Sequence, residues 1–408
     1  MPATSELLRL ATAGSVDDGK STLIGRLLYD AKSLMADQVA DLHDSDGTLD
    51  LARLTDGLRS EREQGITIDV AYRYFATPRR RFILADTPGH AEYTRNMVTG
   101  ASNADVAILL VDAAQGVLDQ TRRHAAIAAL LEVREVVLAI NKMDLVDWSE
   151  ERFDAIVRDF GALARQLGVA HTTPIPLSAL HGDNVVTRSA RLPWYVGRPL
   201  LEHLETIELE ARGSERAPRM PVQRVVEHDG RRLLMGRLAG GRLRPGDEVV
   251  VLPRREATRV ASIETLDGQL DVAAAGQSIT VGLEDELEVD RGDVICGPGR
   301  PPVPRRELKA TLCWMAERPL HRGERLALKH GTRTTYADVA AILDRLDLAT
   351  LRPEDAGQLA LNDLGRVRLR TGEALVTDPY GENRTTGSFI LIDPETNDTV
   401  AAGLLPTV

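Results

Sequence analysis

Gly14-Ser15-Val16-Asp17-Asp18-Gly19-Lys20-Ser21-Thr22 decides the fold of the first half of this 408-residue chain, because it contains the phosphate-loop pattern GxxxxGK[ST]. A strand-like apolar run, Leu8 to Gly14, precedes the loop, and Ser21 to Tyr29 follows with leucine and isoleucine at helical spacing. The glycines let backbone N–H groups surround a phosphate, and the helix N-terminus adds positive potential. Lys20 is expected to reach the β- and γ-phosphates, and the Ser21 hydroxyl is expected to ligate Mg²⁺. The stretch predicts a nucleotide-binding α/β domain.

Three further apolar runs end in a polar residue, namely Arg81 to Asp86, Val106 to Asp112 and Val136 to Asn141. Helical patterns separate them, so they predict buried strands of a parallel sheet. A parallel sheet places its ligand crevice at the C-terminal ends of its strands, where these polar residues lie.

Two segments after the phosphate loop suit the γ-phosphate and its metal ion. Asp86-Thr87-Pro88-Gly89 follows a predicted strand, and an Asp at that position beside a phosphate loop holds Mg²⁺ in such enzymes. Gly89 leaves its N–H free to approach the γ-phosphate. Thr67, in Gly65-Ile66-Thr67-Ile68, is expected to ligate Mg²⁺ and to hold a switch segment that hydrolysis releases.

The base-binding motif is Asn141-Lys142-Met143-Asp144. A carboxylate accepts two hydrogen bonds from guanine N1–H and its 2-amino group, whereas adenine offers neither donor. A buried acceptor left unpaired is costly, so the site is expected to reject ATP by roughly 10⁴-fold. Ser178-Ala179-Leu180, after the strand-like Thr173 to Leu177, is expected to close over the base through its backbone. Two of the five lysines, Lys20 and Lys142, fall in these motifs, although the other 45 basic residues are arginine.

The pattern changes near residue 205. Glu205 to Met220 is charged and contains Gly213, Ser214 and Pro218, which predicts a linker. Short β-rich segments broken by turn residues follow, and they predict antiparallel barrels or sandwiches. Pro298 to Pro304 marks a second division. We expect domains at 1–212, 213–302 and 303–408.

Composition excludes several classes of protein. No apolar run approaches the roughly 20 residues that span a bilayer, and Met1 to Leu10 lacks the pattern of a signal peptide. Cys296 and Cys313 fit neither a zinc spacing nor a disulfide framework, which favours the reducing cytoplasm. The net charge of −11 disfavours broad binding of nucleic acid.

The motifs together resemble the GTPases of the translation-factor class. His90 matches the histidine that orients the attacking water in elongation factor Tu, and Val16 with Ile66 resembles the apolar gate beside that histidine. Gly236 to Pro253 resembles the second-domain barrel of the class. Elongation factor Tu has histidine at the position of Asp18.

A narrower resemblance is to the GTPase large subunits of bacterial sulfate adenylyltransferase. Gly14 to Thr22, Leu54 to Phe75 and Glu92 to Gly100 carry it, and it extends from about residue 7 to 405. It implies a P-loop GTPase domain with a mostly parallel sheet, followed by two antiparallel β-barrel domains. The implied activity is GTP hydrolysis coupled to the formation of adenylyl sulfate and pyrophosphate from ATP and sulfate.

The resemblance also implies GTP and Mg²⁺ as ligands. Catalytic roles fall to Lys20, Thr67 and His90, and metal ligation falls to Ser21, Thr67 and Asp86. The residues expected to contact GTP are Gly14, Ser15, Val16, Asp17, Asp18, Gly19, Lys20, Ser21, Thr22, Asp86, Thr87, Pro88, Gly89, His90, Asn141, Lys142, Met143, Asp144, Ser178, Ala179 and Leu180.

The chain has one Gly-Lys pair, Gly19-Lys20, and no HxGH-type adenylyl-transfer signature. The resemblance implies that adenylyl transfer takes place on a smaller catalytic partner subunit that takes ATP and sulfate, and the absent motifs agree with this. Neither nucleic acid nor a membrane is expected as a partner. Two alternatives stay open at this point. One is a translation-type GTPase that delivers aminoacyl-tRNA, and the other is a regulatory GTPase without coupled chemistry.

Overall fold

The computed structural model describes residues 7–31, 51, 70–87, 94–208, 216–228, 230–348 and 350–406. Its contacts divide the chain into two units, residues 1–208 with 347–352, and residues 209–346 with 353–408. Among the described residues, no helix is both long enough and apolar enough to cross a membrane.

The first unit is built on one six-stranded sheet in the order β2-β3-β1-β4-β5-β6. The strands are β1 (Leu7–Ala13), β2 (Ala71–Ala76), β3 (Arg81–Asp86), β4 (Val106–Asp112), β5 (Glu135–Asn141) and β6 (His171–Pro176). The helices are α1 (Lys20–Asp30), α2 (Thr94–Ser102), α3 (Asp119–Leu130), α4 (Glu150–Leu167) and α5 (Leu200–Thr206). All neighbouring strands are parallel except β2, which runs antiparallel to β3 at the edge.

The parallel sheet explains why the predicted strands are recognisable in sequence. Every residue of β4 is buried, as expected for a strand covered on both faces. Strands β3 and β4 have the bounds predicted for them, and β1, β5 and β6 shift by one or two residues. Asp86, Asp112 and Asn141 each end a strand at the same edge of the sheet.

The second unit contains two closed six-stranded antiparallel barrels. The first has the order β10-β15-β7-β8-β14-β11, and β10 pairs with β11 to close it. Its strands and the short ones beside them are β7 (Arg219–His228), β8 (Arg231–Arg237), β9 (Arg242–Leu243), β10 (Glu248–Leu252), β11 (Glu256–Thr265), β12 (Gly268–Gln269), β13 (Ala273–Ala274), β14 (Ser278–Leu283) and β15 (Val294–Cys296).

The second barrel has the order β18-β23-β24-β16-β22-β19 and closes through the pairing of β18 with β19. Its strands and the short ones beside them are β16 (Arg305–Trp314), β17 (Leu320–His321), β18 (Arg325–His330), β19 (Arg333–Asp347), β20 (Arg352–Glu354), β21 (Gln358–Leu359), β22 (Leu364–Leu375), β23 (Ser388–Ile392) and β24 (Thr399–Leu404). Closure leaves each of the two six-strand cycles without an open edge, and inward-facing apolar residues fill both interiors.

One sequence expectation is wrong. The predicted linker Glu205 to Met220 is too long at both ends, because α5 extends to Thr206 and β7 begins at Arg219. Its charged residues misled the prediction, since Arg219 is buried in the structure. Closure of both sheets confirms the two antiparallel β-barrel domains that the resemblance implies and decides against sandwiches. The domain limits at 212 and 302 stay predictions; the first lies outside the described residues.

The two barrels contact each other through a buried ion pair. Arg219 donates from Nε to Asp378 Oδ2 at 3.0 Å and from its terminal nitrogen to Oδ1 at 3.1 Å. Thr386 donates from its hydroxyl to the same carboxylate at 2.6 Å. Beside this pair, Val376 packs against Leu252, Val294 and Cys296 of the first barrel. Charge and apolar surface therefore hold the barrels together.

Candidate nucleotide-binding site

The phosphate loop joins β1 to α1 in a backbone conformation that its sequence permits. Gly19 has φ +90°, and a Cβ built there would lie 2.4 Å from the side-chain nitrogen of Asn141. Only glycine fits that approach. Asp17 also has positive φ, 64°, and a short polar side chain tolerates this better than most.

Lys20 closes the loop from inside. Its Nζ donates to the carbonyl of Gly14 at 3.0 Å and to that of Ser15 at 2.8 Å. Burial lowers the pKa of Lys20, while the nearby carboxylates of Asp18 and Asp86 oppose that shift. A compact ammonium group inside the loop is placed to meet phosphate oxygens.

Asp18 braces the same loop. Its Oδ2 accepts the Ser15 N–H at 2.6 Å, and its side chain is almost completely buried. Burial raises the pKa of this carboxyl, whereas the Ser15 N–H and the charge of Lys20 act in the opposite direction. Asp18 therefore helps to set the shape of the loop.

One amide connects the three nucleotide motifs. Asn141 donates from Nδ2 to the carbonyl of Asp18 at 2.7 Å and accepts the Ala179 N–H on Oδ1 at 2.9 Å. Arg26 of α1 adds a second link to the 178–180 loop. Its Nε donates to the Ala179 carbonyl at 3.3 Å, and a terminal nitrogen donates to the Leu180 carbonyl at 2.7 Å.

The candidate base-binding group is Asp144. Its Oδ1 is buried and has no hydrogen-bond partner within the described part of the chain. Its Oδ2 lies 3.8 Å from Nε2 of His181. Lys142 precedes it with φ 60° and donates from Nζ to Asp112 Oδ2 at 2.9 Å. A buried carboxylate oxygen with spare acceptor capacity suits the donor edge of guanine.

The other expected contact residues differ in what they can offer a nucleotide. Met143 is completely buried, and the hydroxyl of Thr87 donates to the Thr12 carbonyl. Ser178 Oγ accepts the His181 N–H at 3.4 Å, while the side chain of Leu180 is 61% exposed. The Ala179 N–H is already used by Asn141.

Only some of the metal ligands expected from sequence lie among the described residues. Asp86 is fully buried at the end of β3, and Ser21 and Thr22 lie in the first turn of α1. Val16, the described half of the expected apolar gate, is 40% exposed. Thr67, Pro88, Gly89, His90 and Ile66 lie outside the described residues.

Sequence reasoning missed four participants. Asp112 ends β4 as Asp86 ends β3, so its position was a usable signal. Arg26 and His181 gave none, because they act through loop backbone and through Asp144. His124 of α3 is buried, and burial, together with the charges of Lys20 and Arg123, lowers its pKa to about 3.

The fold and the site define a class, a P-loop GTP-binding protein with the domain order of elongation factor Tu. The family model "Elongation factor Tu GTP binding domain" matches residues 5–210, "Elongation factor Tu domain 2" matches 231–296, and "GTP-eEF1A C-terminal domain-like" matches 307–405.

Three relatives narrow the class. "Sulfate adenylyltransferase subunit 1" of Bacteroides fragilis is 48% identical over 98% of this chain and 86% of its own, and that of Methylorubrum populi is 50% identical over 99% and 88%. "Bifunctional enzyme CysN/CysC" of Mycobacterium tuberculosis is 53% identical over 98% of this chain and 67% of its own. The chain belongs to the sulfate adenylyltransferase subunit 1 family.

Proposed function

We propose that this chain is the GTP-hydrolysing subunit of a sulfate adenylyltransferase. It couples GTP hydrolysis to the formation of adenylyl sulfate and pyrophosphate from ATP and sulfate, and the adenylyl transfer takes place on a smaller catalytic subunit. The names of the relatives favour this activity over the delivery of aminoacyl-tRNA. The observation that supports GTP binding is the pair of hydrogen bonds made by Asn141. They join the phosphate loop to the 178–180 loop, beside the buried acceptor oxygen of Asp144.

Guanine recognition follows from Asp144. Its carboxylate would accept the N1–H and the 2-amino group, which supplies the partners that Oδ1 lacks among the described residues. Lys20 would exchange the carbonyls of Gly14 and Ser15 for phosphate oxygens. Binding would therefore reorganise the loop locally while Asn141 holds it to the base site.

The donor set fits Mg²⁺. Ser21 and Asp86, with Thr67 as the third expected ligand, offer hydroxyl and carboxylate oxygens, which hard divalent cations prefer. The ion would neutralise charge on the β- and γ-phosphate oxygens. Thr67 would sense the γ-phosphate, and His90 would orient the attacking water.

Both free cysteines are buried, which agrees with a reducing cytoplasm.

The test measures both reactions in parallel. The purified chain alone should hydrolyse GTP slowly and form no adenylyl sulfate. Adding the catalytic subunit with ATP and sulfate should raise phosphate release at least tenfold, which needs only about 1.4 kcal/mol of barrier lowering. Adenylyl sulfate should then exceed its level without GTP.

Thr67→Ala should abolish that excess while the partner stays bound. If the isolated chain formed adenylyl sulfate, or if GTP left the product level of the complex unchanged, the proposal would be wrong.

A further inference from the structure

A solvent-open cleft on the first barrel has three arginines among the seven residues that line it. Its volume is about 490 Å³, and its lining includes Gln223, Arg224, Val225, Arg232, Val289 and Arg291. No residue of the nucleotide motifs takes part in it. The nucleotide site therefore does not account for this cleft.

A β-bulge builds one wall. The register of β7 against β8 shifts between Val222 and Arg224, so two consecutive residues, Gln223 and Arg224, are both exposed. In a regular strand, successive side chains would point to opposite faces. Bulges re-aim side chains in this way beside functional sites. The Arg224 side chain forms no ion pair or hydrogen bond within the described ranges.

The cleft holds two more guanidinium groups. Arg232 lies across from Glu227 in the strand register, yet it donates to the carbonyls of Leu287 at 3.0 Å and Val289 at 3.5 Å. Arg291 donates from Nε to the Thr332 carbonyl at 3.4 Å. Uncharged carbonyl partners orient these side chains without neutralising them.

The cleft carries a surplus of positive charge. Its acidic member, Asp290, accepts a hydrogen bond from Arg254 at 3.1 Å, so that carboxylate is already paired. The whole chain nevertheless carries a net charge of −11. At physiological salt, charges are screened over roughly 8 Å, so a short acidic segment near the cleft would be attracted mainly by its arginines. A long polyanion would meet the acidic surroundings as well.

We propose that this arginine cleft binds an acidic segment of the catalytic partner subunit, whose existence rests on the proposed function. Arginine's planar fork pairs with carboxylates in bidentate geometry. A cleft open to solvent suits a peptide segment better than a small molecule, because small-molecule pockets enclose most of their ligand. The half-buried Val225 adds apolar surface to the cleft.

The experiment measures the affinity of the full chain for the catalytic subunit by calorimetry at several salt concentrations. Arg224→Glu with Arg291→Glu reverses the cleft charge while sparing Arg232, which supports the 287–289 backbone. The matched control is Arg305→Glu with Arg306→Glu, two exposed arginines of β16 that change the net charge equally. Scanning calorimetry of the isolated chain checks folding of the second unit, and GTP affinity checks folding of the first.

The cleft variant should bind the catalytic subunit at least tenfold more weakly than wild type, with a shallower salt dependence. The control pair should stay within twofold of wild type, and GTP affinity should be unchanged in both. If the cleft variant bound the catalytic subunit as tightly as wild type, the assignment of the cleft would be wrong, and the proposed function would stand.

A wild-type chain that binds no catalytic subunit would overturn the proposed function and, with it, the assignment. Single-stranded RNA is the competing probe. RNA binding by the wild-type chain that is lost in the cleft variant, with partner affinity intact, would reassign the cleft to nucleic acid.

Discussion

Asp144 is the residue whose proposed role is to separate guanine from other bases. Asp144→Asn should weaken GTP binding by roughly 10²-fold or more, because a charged acceptor of two hydrogen bonds is replaced by an amide. The same variant should favour xanthosine triphosphate, whose 2-position carries oxygen. Titration calorimetry with both nucleotides measures the change.

Asp147→Asn makes the same chemical change three residues away, where the backbone is left-handed and tolerates asparagine. It should leave both affinities near wild type. Wild-type protein that binds ATP as tightly as GTP would contradict the role of Asp144.

His124 should make stability depend on pH. Its pKa is about 3 in the folded chain and about 6.5 when exposed, so below pH 6.5 the unfolded state binds the extra proton. Stability from this residue is present above pH 6.5 and is lost as pH falls towards 3. Between pH 7 and 5 the loss amounts to about 2 kcal/mol. Denaturation of His124→Gln at both pH values should show a smaller difference than wild type; an equal difference would refute the assignment.

At the scale of elements, α1 and the 178–180 loop act together through Arg26. Arg26→Ala should weaken binding of GTP and GDP by a similar factor, about 5- to 30-fold, because two carbonyls lose a cationic donor and the base loop loosens. Fluorescent analogues of both nucleotides measure it.

Arg158→Ala removes an exposed arginine of α4 and is the matched control. A loss confined to GTP would contradict a role in the base loop, since both nucleotides share the base.

The elements were predictable where local pattern decided them. β3 and β4 show in sequence because uninterrupted apolar runs end in aspartate. The bulge at Gln223 was not visible in the sequence, and only the family resemblance implied closed barrels, because strand pairing between distant residues sets both features. At the site, the motifs predicted loops that the structure brings together at Asn141. They did not predict that Asn141 uses both ends of its amide on other loops.

For the second unit as a whole, the buried pair Arg219–Asp378 is a charge contact between the two barrels. Asp378→Asn leaves the guanidinium buried without a counter-charge, which should cost about 3–5 kcal/mol in the unfolding of the second unit. Scanning calorimetry should record this loss as an unfolding transition at lower temperature.

Glu248→Gln breaks the exposed pair with Arg259, whose side chains are 61% and 51% exposed, and should leave that transition in place. A similar shift in both variants would show that burial of Arg219 does not matter. No local sequence pattern marks Asp378, since its partner lies 159 residues away.

The 159 residues between Arg219 and Asp378 also matter while the chain is being synthesised. A ribosome adds about 5–20 residues per second, so Arg219 emerges roughly 8 to 30 s before Asp378. During that interval the nascent first barrel carries an exposed cation beside Leu252, Val294 and Cys296, the apolar residues that later pack against Val376. Translation that pauses between residues 300 and 378 would prolong this exposure. Chaperones would then bind these apolar residues before the second barrel covers them.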